Sequence, residues 1–214
     1  MGQLVRSEYF VGLDLGQAQD FTALAVMEHA EFVGERDPVT YERAKETRLR
    51  LRHVERMPLG TRYPKVVERV TGLVGSRELA GRCGLAVDAT GVGRPVVDLL
   101  EGAGLACKLW PVTITGGQGE TSAGGYCGVP KRDLVVGLQV LIQNGELEIA
   151  AGMKWLGELV REMRHMRMKM GENGERFGVW QTGEHDDLVM AVALAGWAAK
   201  RVFPVWGFGR ARIV

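Results

Sequence analysis

"YFVGLDLGQAQDFTALAVMEH" (9–29) decides the architecture, because it holds two short apolar runs separated by a polar turn. "YFVGLDLG" (9–16) and "TALAVMEH" (22–29) read as paired strands. In "ERAKETRLRLRHVER" (42–56), Arg48, Arg50 and Arg52 alternate with Leu49 and Leu51, which predicts a third strand near 48–57 with one charged and one apolar face. The chain therefore opens with antiparallel strands. Downstream the period changes. "YPKVVERVTGLVGSREL" (63–79) reads as a helix starting near Pro64, "CGLAVDATG" (83–91) as a buried strand, and "GRPVVDLLEGAG" (93–104) as a short helix. "ACKLWPVTIT" (106–115) is a further strand, and the glycine-rich 116–128 reads as a poorly ordered loop. Helices are predicted over 130–145, 153–168 and 185–199, with a short strand, "ELEIA" (146–150), between the first two. Strands first, then strands alternating with helices, predict an α/β fold: a mixed sheet with helices on both faces.

At 214 residues, 46% of them hydrophobic, the chain is long enough to bury one sizeable core, and residues 1–214 read as a single domain without repeat or linker. No apolar run approaches the roughly 20 residues that cross a bilayer, and "MGQLVRSEYF" lacks the hydrophobic segment of a secretory leader, so a cytoplasmic protein without a membrane partner is expected. Cys83, Cys107 and Cys127 are odd in number and widely spaced, which predicts free thiols. The net charge is only +1, so affinity for a polyanion has to come from local patches. Two are available: Arg48, Arg50 and Arg52 on the third strand, and Arg161, Arg164 and His165 at helical spacing in "REMRHMRMK" (161–169). Each is also compatible with an ordinary solvated face. Trp110, Trp155, Trp180 and Trp197 are expected in the core.

The acids carry the chemistry. Asp14 closes one apolar strand and Asp88 another, and if the two strands are parallel neighbours their ends lie about 4.8 Å apart. Two carboxylates at that distance cannot both stay charged without a cation; a divalent metal removes the conflict. "HDD" (185–187) opens the last, wholly apolar helix. Asp186 and Asp187 can be caps of that helix, or a third carboxylate that completes a two-ion site for phosphodiester hydrolysis.

In this order, "VGLDLGQAQDFTALAV" (11–26), "LAVDATGVGRPVVDLL" (85–100), "VPKRDLVVGLQVLI" (129–142) and "GEHDDLVMAVALA" (183–195) resemble the nuclease domain of the phage terminase large subunit, within the ribonuclease-H-like superfamily. The resemblance implies a ribonuclease-H-like sheet and an endonuclease that cuts double-stranded viral DNA during genome packaging with two Mg²⁺ or Mn²⁺ ions. It also implies a packaging ATPase, a small terminase subunit and a portal as partners, in the host cytoplasm. By position it makes Asp14 and Asp88 the first two metal ligands and Asp187 the third, with Asp186 a ligand or its neighbour. Asp20 and His185 stand beside them, and Lys131 faces DNA phosphate or the transition state. No GxxxxGK[ST] phosphate loop occurs, so the chain reads as the nuclease without its motor. "LDLGQAQDFTALAV" and "VDATGVG" also resemble the phosphate-binding hairpins of actin-like ATPases and sugar kinases. A DNA-binding or assembly module without catalysis is a third reading.

Overall fold

The computed structural model describes residues 2–16, 20–91, 93–171, 174–178 and 185–203; of 167–171 and 174–178 only the backbone is described. The opening strands β1 (Gln3–Asp14), β2 (Ala23–Arg36) and β3 (Arg43–Arg56) pair antiparallel in sequence order. They run longer than their apolar stretches, because the polar outer halves continue the ladder after the core has ended. The parallel half consists of β4 (Cys83–Asp88), β5 (Lys108–Thr115) and β7 (Tyr126–Pro130), with β6 (Thr121–Ala123) antiparallel on its edge and β8 (Leu147–Ile149) parallel to β3 on the other. The sheet order is β6-β7-β5-β4-β1-β2-β3-β8. Helices cover both faces: α1 (Tyr63–Val74) and α2 (Gly93–Gly102) on one, α3 (Lys131–Gln143), α4 (Leu156–His165) and α5 (Asp187–Val202) on the other. No helix among the described residues is long and apolar enough to cross a membrane.

Two segments depart from the sequence reading. The second half of the glycine-rich stretch 116–128 is a hairpin. Ala123 pairs with Tyr126 across Gly124 and Gly125, which have φ of 55° and 83°, the left-handed pair that a two-residue turn needs. The helix expected over 153–168 spans only Leu156–His165. Beyond it β9 (Arg167–Gly171) pairs antiparallel with β10 (Gly174–Gly178) as a separate two-stranded sheet. Arg167 to Met170 alternate charged and apolar residues, a period of two that the preceding helical pattern masks.

The last helix sets the position of the site. Along α5, Leu188 to Gly196, Ala198 and Ala199 are buried, and small side chains let the helix lie directly on the sheet. The closest approach is at Gly12 of β1, where a Cβ would overlap the Ala191 carbonyl oxygen and come within 2.6 Å of the Ala195 nitrogen. Gly12 is two residues from Asp14, so this contact brings the start of α5 over the end of β1. Trp110 is in the same core and Trp155 and Trp197 pack against it; Trp180 lies outside the described residues. Cys83, Cys107 and Cys127 are free thiols.

Candidate active site

β1 and β4 are parallel neighbours, in register from Tyr9↔Cys83 to Leu13↔Val87, so Asp14 and Asp88 come next on adjacent strands. Both carboxyls line the same cleft, close enough to affect each other's ionisation. The loop after β4 is fixed: the Thr90 N–H donates to Asp88 Oδ1 at 2.8 Å, and the Thr90 hydroxyl accepts from the Ile114 N–H at 2.8 Å. Asp186 and Asp187 arrive at the start of α5, and Lys131 at the start of α3, directly after β7. With Asp20 and His185 they line one cleft of about 430 Å³. All seven cleft residues singled out in the sequence thus share one concavity, and the His185 ring packs edge-on against Phe21 at 5.0 Å.

The acids at the head of α5 are not its caps. Asp186 occupies the cap position without a side-chain cap hydrogen bond, and it is Glu162 of α4 that accepts from the Val189 N–H, at 3.0 Å. Asp186 instead accepts from the Lys131 ammonium at 2.7 Å. Asp187 is held by Arg56 at the end of β3: Nε donates to Oδ2 at 2.8 Å and Nη2 to Oδ1 at 3.1 Å, while Nη2 also meets Glu162. The Arg56, Glu162 and Asp187 side chains are all at least nine-tenths buried. The guanidinium also lies over the rings of Phe21 and Trp155. Among the described residues no three acids converge on one point: Asp186 is drawn to Lys131 and Asp187 to Arg56.

Arg56 and Glu162 are absent from the sequence reading, and for Arg56 a β-bulge is the reason. Val26 pairs with His53 but Met27 with Leu51, so Arg52 is an extra residue in β3. Strict alternation puts Arg56 beside Arg48, Arg50 and Arg52. The bulge reverses the faces, so Val54 joins Leu49 and Leu51 in the core beneath α5 and Arg56 turns inward.

Burial and like charge hold the cluster away from ordinary carboxylate behaviour. Asp14 stands well above the usual range, first because it is buried and then because Asp88, Asp186 and Asp187 surround it. Burial likewise raises Asp88 and Asp187 and, with Asp187 beside it, pushes Glu162 up to about 8. A carboxyl whose folded pKa exceeds its unfolded one stabilises the fold below the unfolded value, and loses that contribution as pH rises through the folded value. The metal-free protein should therefore lose stability as pH rises from about 4.5 to about 8. Denaturation midpoints in chelator across that window test this, and a flat or rising profile would contradict the cost of burying these charges together.

The basic patches are placed differently from the acids. Arg48 bonds Glu46 and Glu148 at 2.9 and 3.1 Å, Arg50 bonds Glu148 at 2.8 Å, and Arg52 stands 3.6 Å from Glu28. They lie four to eight residues along β3 from Arg56, roughly 13–26 Å at about 3.3 Å per residue. The structure therefore separates this row from the acid cleft and gives each arginine a carboxylate. Arg161 and Arg164 are exposed on α4, with half-buried His165 beside them, while Glu162 of the same helix turns inward.

No family model matches the chain, and no curated protein matches it by sequence. Solved structures do match by shape. The large terminase nuclease from thermophilic phage G20c with bound magnesium is 24% identical with a TM-score of 0.57, over 89% of this chain and 81% of that one. The large terminase nuclease domain of Thermus phage P74-26 is 20% identical with a TM-score of 0.58, over 90% and 81%. The nuclease domain of the large terminase subunit of bacterial virus Sf6, solved with manganese and β-thujaplicinol, is 14% identical with a TM-score of 0.56, over 88% and 87%. The chain has the ribonuclease-H-like fold of these terminase nuclease domains.

Proposed function

We propose that the chain is a divalent-metal-dependent endonuclease that hydrolyses phosphodiester bonds in double-stranded DNA, in the service of viral genome packaging. The observation that carries this reading is the gathering of Asp14, Asp88 and Asp186, from three separate segments, in one cleft. The donors are all carboxylate oxygens, the hard ligands that Mg²⁺ and Mn²⁺ prefer. Burial raises both Asp14 and Asp88, and the surrounding acids raise Asp14 further, costs that a bound cation would offset. Asp14, Asp88 and Asp186 would hold two such ions, which when bound lower the pKa of an attacking water and stabilise the departing 3′ oxygen. Asp186 fits the third position better than Asp187, because both Asp187 oxygens are taken by a buried arginine whereas Asp186 has one bond to a half-exposed lysine. Asp187 then fixes the start of α5 through Arg56. Lys131, once exchanged from Asp186, is placed to bind a phosphate oxygen. The packaging ATPase, small terminase subunit and portal are the partners this reading assigns, and the host cytoplasm the compartment.

Purified protein incubated with supercoiled plasmid tests the proposal. For residues 1–214 alone, with a net charge of +1, slow nicking and linearisation are expected at high protein concentration. The products should depend on Mn²⁺ or Mg²⁺, ignore ATP and vanish with chelator. Intact plasmid together with ATP hydrolysis would move the assignment to the actin-like ATPases. Duplex binding without metal binding would move it to an assembly module.

A further inference from the structure

A second cavity, of about 450 Å³, adjoins the acid cleft and shares Gly16 and Asp20 with it. It is bounded on the far side by the link from β3 to α1. Thr61 fixes that link, its N–H and hydroxyl both donating to the Pro58 carbonyl, at 3.1 and 2.6 Å. Pro58, Pro64 and the Tyr63 ring, which packs on the core beneath α1, give the cavity an apolar wall. Arg62 is exposed at its edge and, among the described residues, forms no ion pair.

Among the described residues lining the two spaces, the lysine and arginine side chains are Lys131 and Arg62, with His185 the one imidazole. Lys131 is tied to Asp186, and the arginines of β3 are matched by Glu46, Glu148 and Glu28. Among the described lysines and arginines lining these spaces, Arg62 is therefore the one without an ion pair. Asp20 stands on the partition between the two spaces, where it repels a phosphate from the midline and leaves the Arg62 side as the favourable position.

We propose that this cavity receives the sugar–phosphate unit next to the scissile bond on one strand of the duplex. Arg62 binds its phosphate, and Tyr63, Pro58 and Pro64 pack against the sugar. This rests on the nuclease reading and extends it, by assigning strand positioning to the β3–α1 link and not to the arginine row of β3. A guanidinium on a phosphate orients the strand without reading bases, so the contact is independent of sequence.

The experiment compares wild-type protein, Arg62→Gln, Arg62→Lys and the triple variant Arg48→Gln/Arg50→Gln/Arg52→Gln. Binding of a fluorescent DNA duplex is measured in Mn²⁺ over a series of salt concentrations. Arg62→Gln should weaken binding about tenfold, as expected for one charge-assisted contact. It should also lower the log–log salt slope by about 0.9, the counterion release of one phosphate. Arg62→Lys should restore most of the slope because it keeps the charge, and the triple variant should change the slope less than Arg62→Gln does. Mn²⁺ affinity by titration calorimetry should be unchanged in Arg62→Gln, and its KM on a cleavable duplex should rise with kcat retained. An unchanged slope in Arg62→Gln would overturn the assignment even if the wild type cuts DNA. A lowered slope in a protein that cuts nothing would keep the phosphate contact while the nuclease reading falls.

Discussion

Asp88→Asn should abolish metal-dependent cleavage while leaving the protein folded and, in chelator, more stable than wild type. The substitution preserves shape and the oxygen that accepts the Thr90 N–H, so the loop after β4 stays in place. It removes the charge that a metal ligand needs. It also removes the leading carboxylate neighbour that raises Asp14, leaving Asp14 with burial and the acids of α5. Loss of the several kcal/mol that a bound ion contributes to the transition state corresponds to about a thousandfold or more in rate. Two measurements check this: plasmid cleavage in Mn²⁺, and thermal midpoints with chelator and with Mn²⁺. The variant should unfold at a higher temperature in chelator and show little further rise with Mn²⁺. Cleavage at the wild-type rate would remove Asp88 from the site, and a lower midpoint in chelator would show that burying its charge is not costly there.

The acids were legible in the sequence because each closes or opens an apolar segment whose period is unambiguous. Asp14 and Asp88 end buried strands, and their adjacency follows once those strands pair in parallel. The lower half of the site was not legible. Arg56 faces the cleft only because Arg52 is an extra residue in β3, and a one-residue bulge leaves no mark in a pattern of alternating arginines and leucines. Glu162 belongs to an amphipathic helix whose charged face looks solvated, and its partners are 27 and 106 residues away in sequence. Arg48, Arg50 and Arg52 show the converse. Their spacing identified a charged strand face correctly, but spacing alone carries no sign of the glutamates at 28, 46 and 148 that answer them. The helix expected to reach residue 168 failed for a related reason: a period of two over a few residues is easily absorbed into the tail of a helical pattern.

Arg56→Gln is expected to be the most destabilising single change at the site. Among the described residues the guanidinium is the one group that answers both Asp187 and Glu162, and all three side chains are buried. Removing one partner of a buried ion pair costs about 3–5 kcal/mol, because the remaining charge is left without water or a counterion. Against a total stability of about 5–15 kcal/mol, that is enough to loosen the docking of α4 and α5 at physiological temperature. The loss should appear in urea denaturation as a lower midpoint. Packing alone could produce a similar fall, since Arg56 also lies over Phe21 and Trp155. The triple variant Arg56→Met/Glu162→Gln/Asp187→Asn separates the two causes, because it keeps a long apolar stem and leaves no buried charge. If electrostatic pairing dominates, this variant should recover most of the stability lost in Arg56→Gln. It should also retain measurable Mn²⁺ affinity if Asp186, and not Asp187, supplies the third carboxylate. A triple variant as unstable as Arg56→Gln would assign the effect to packing, and one that is stable but no longer binds Mn²⁺ would return Asp187 to the ligand set.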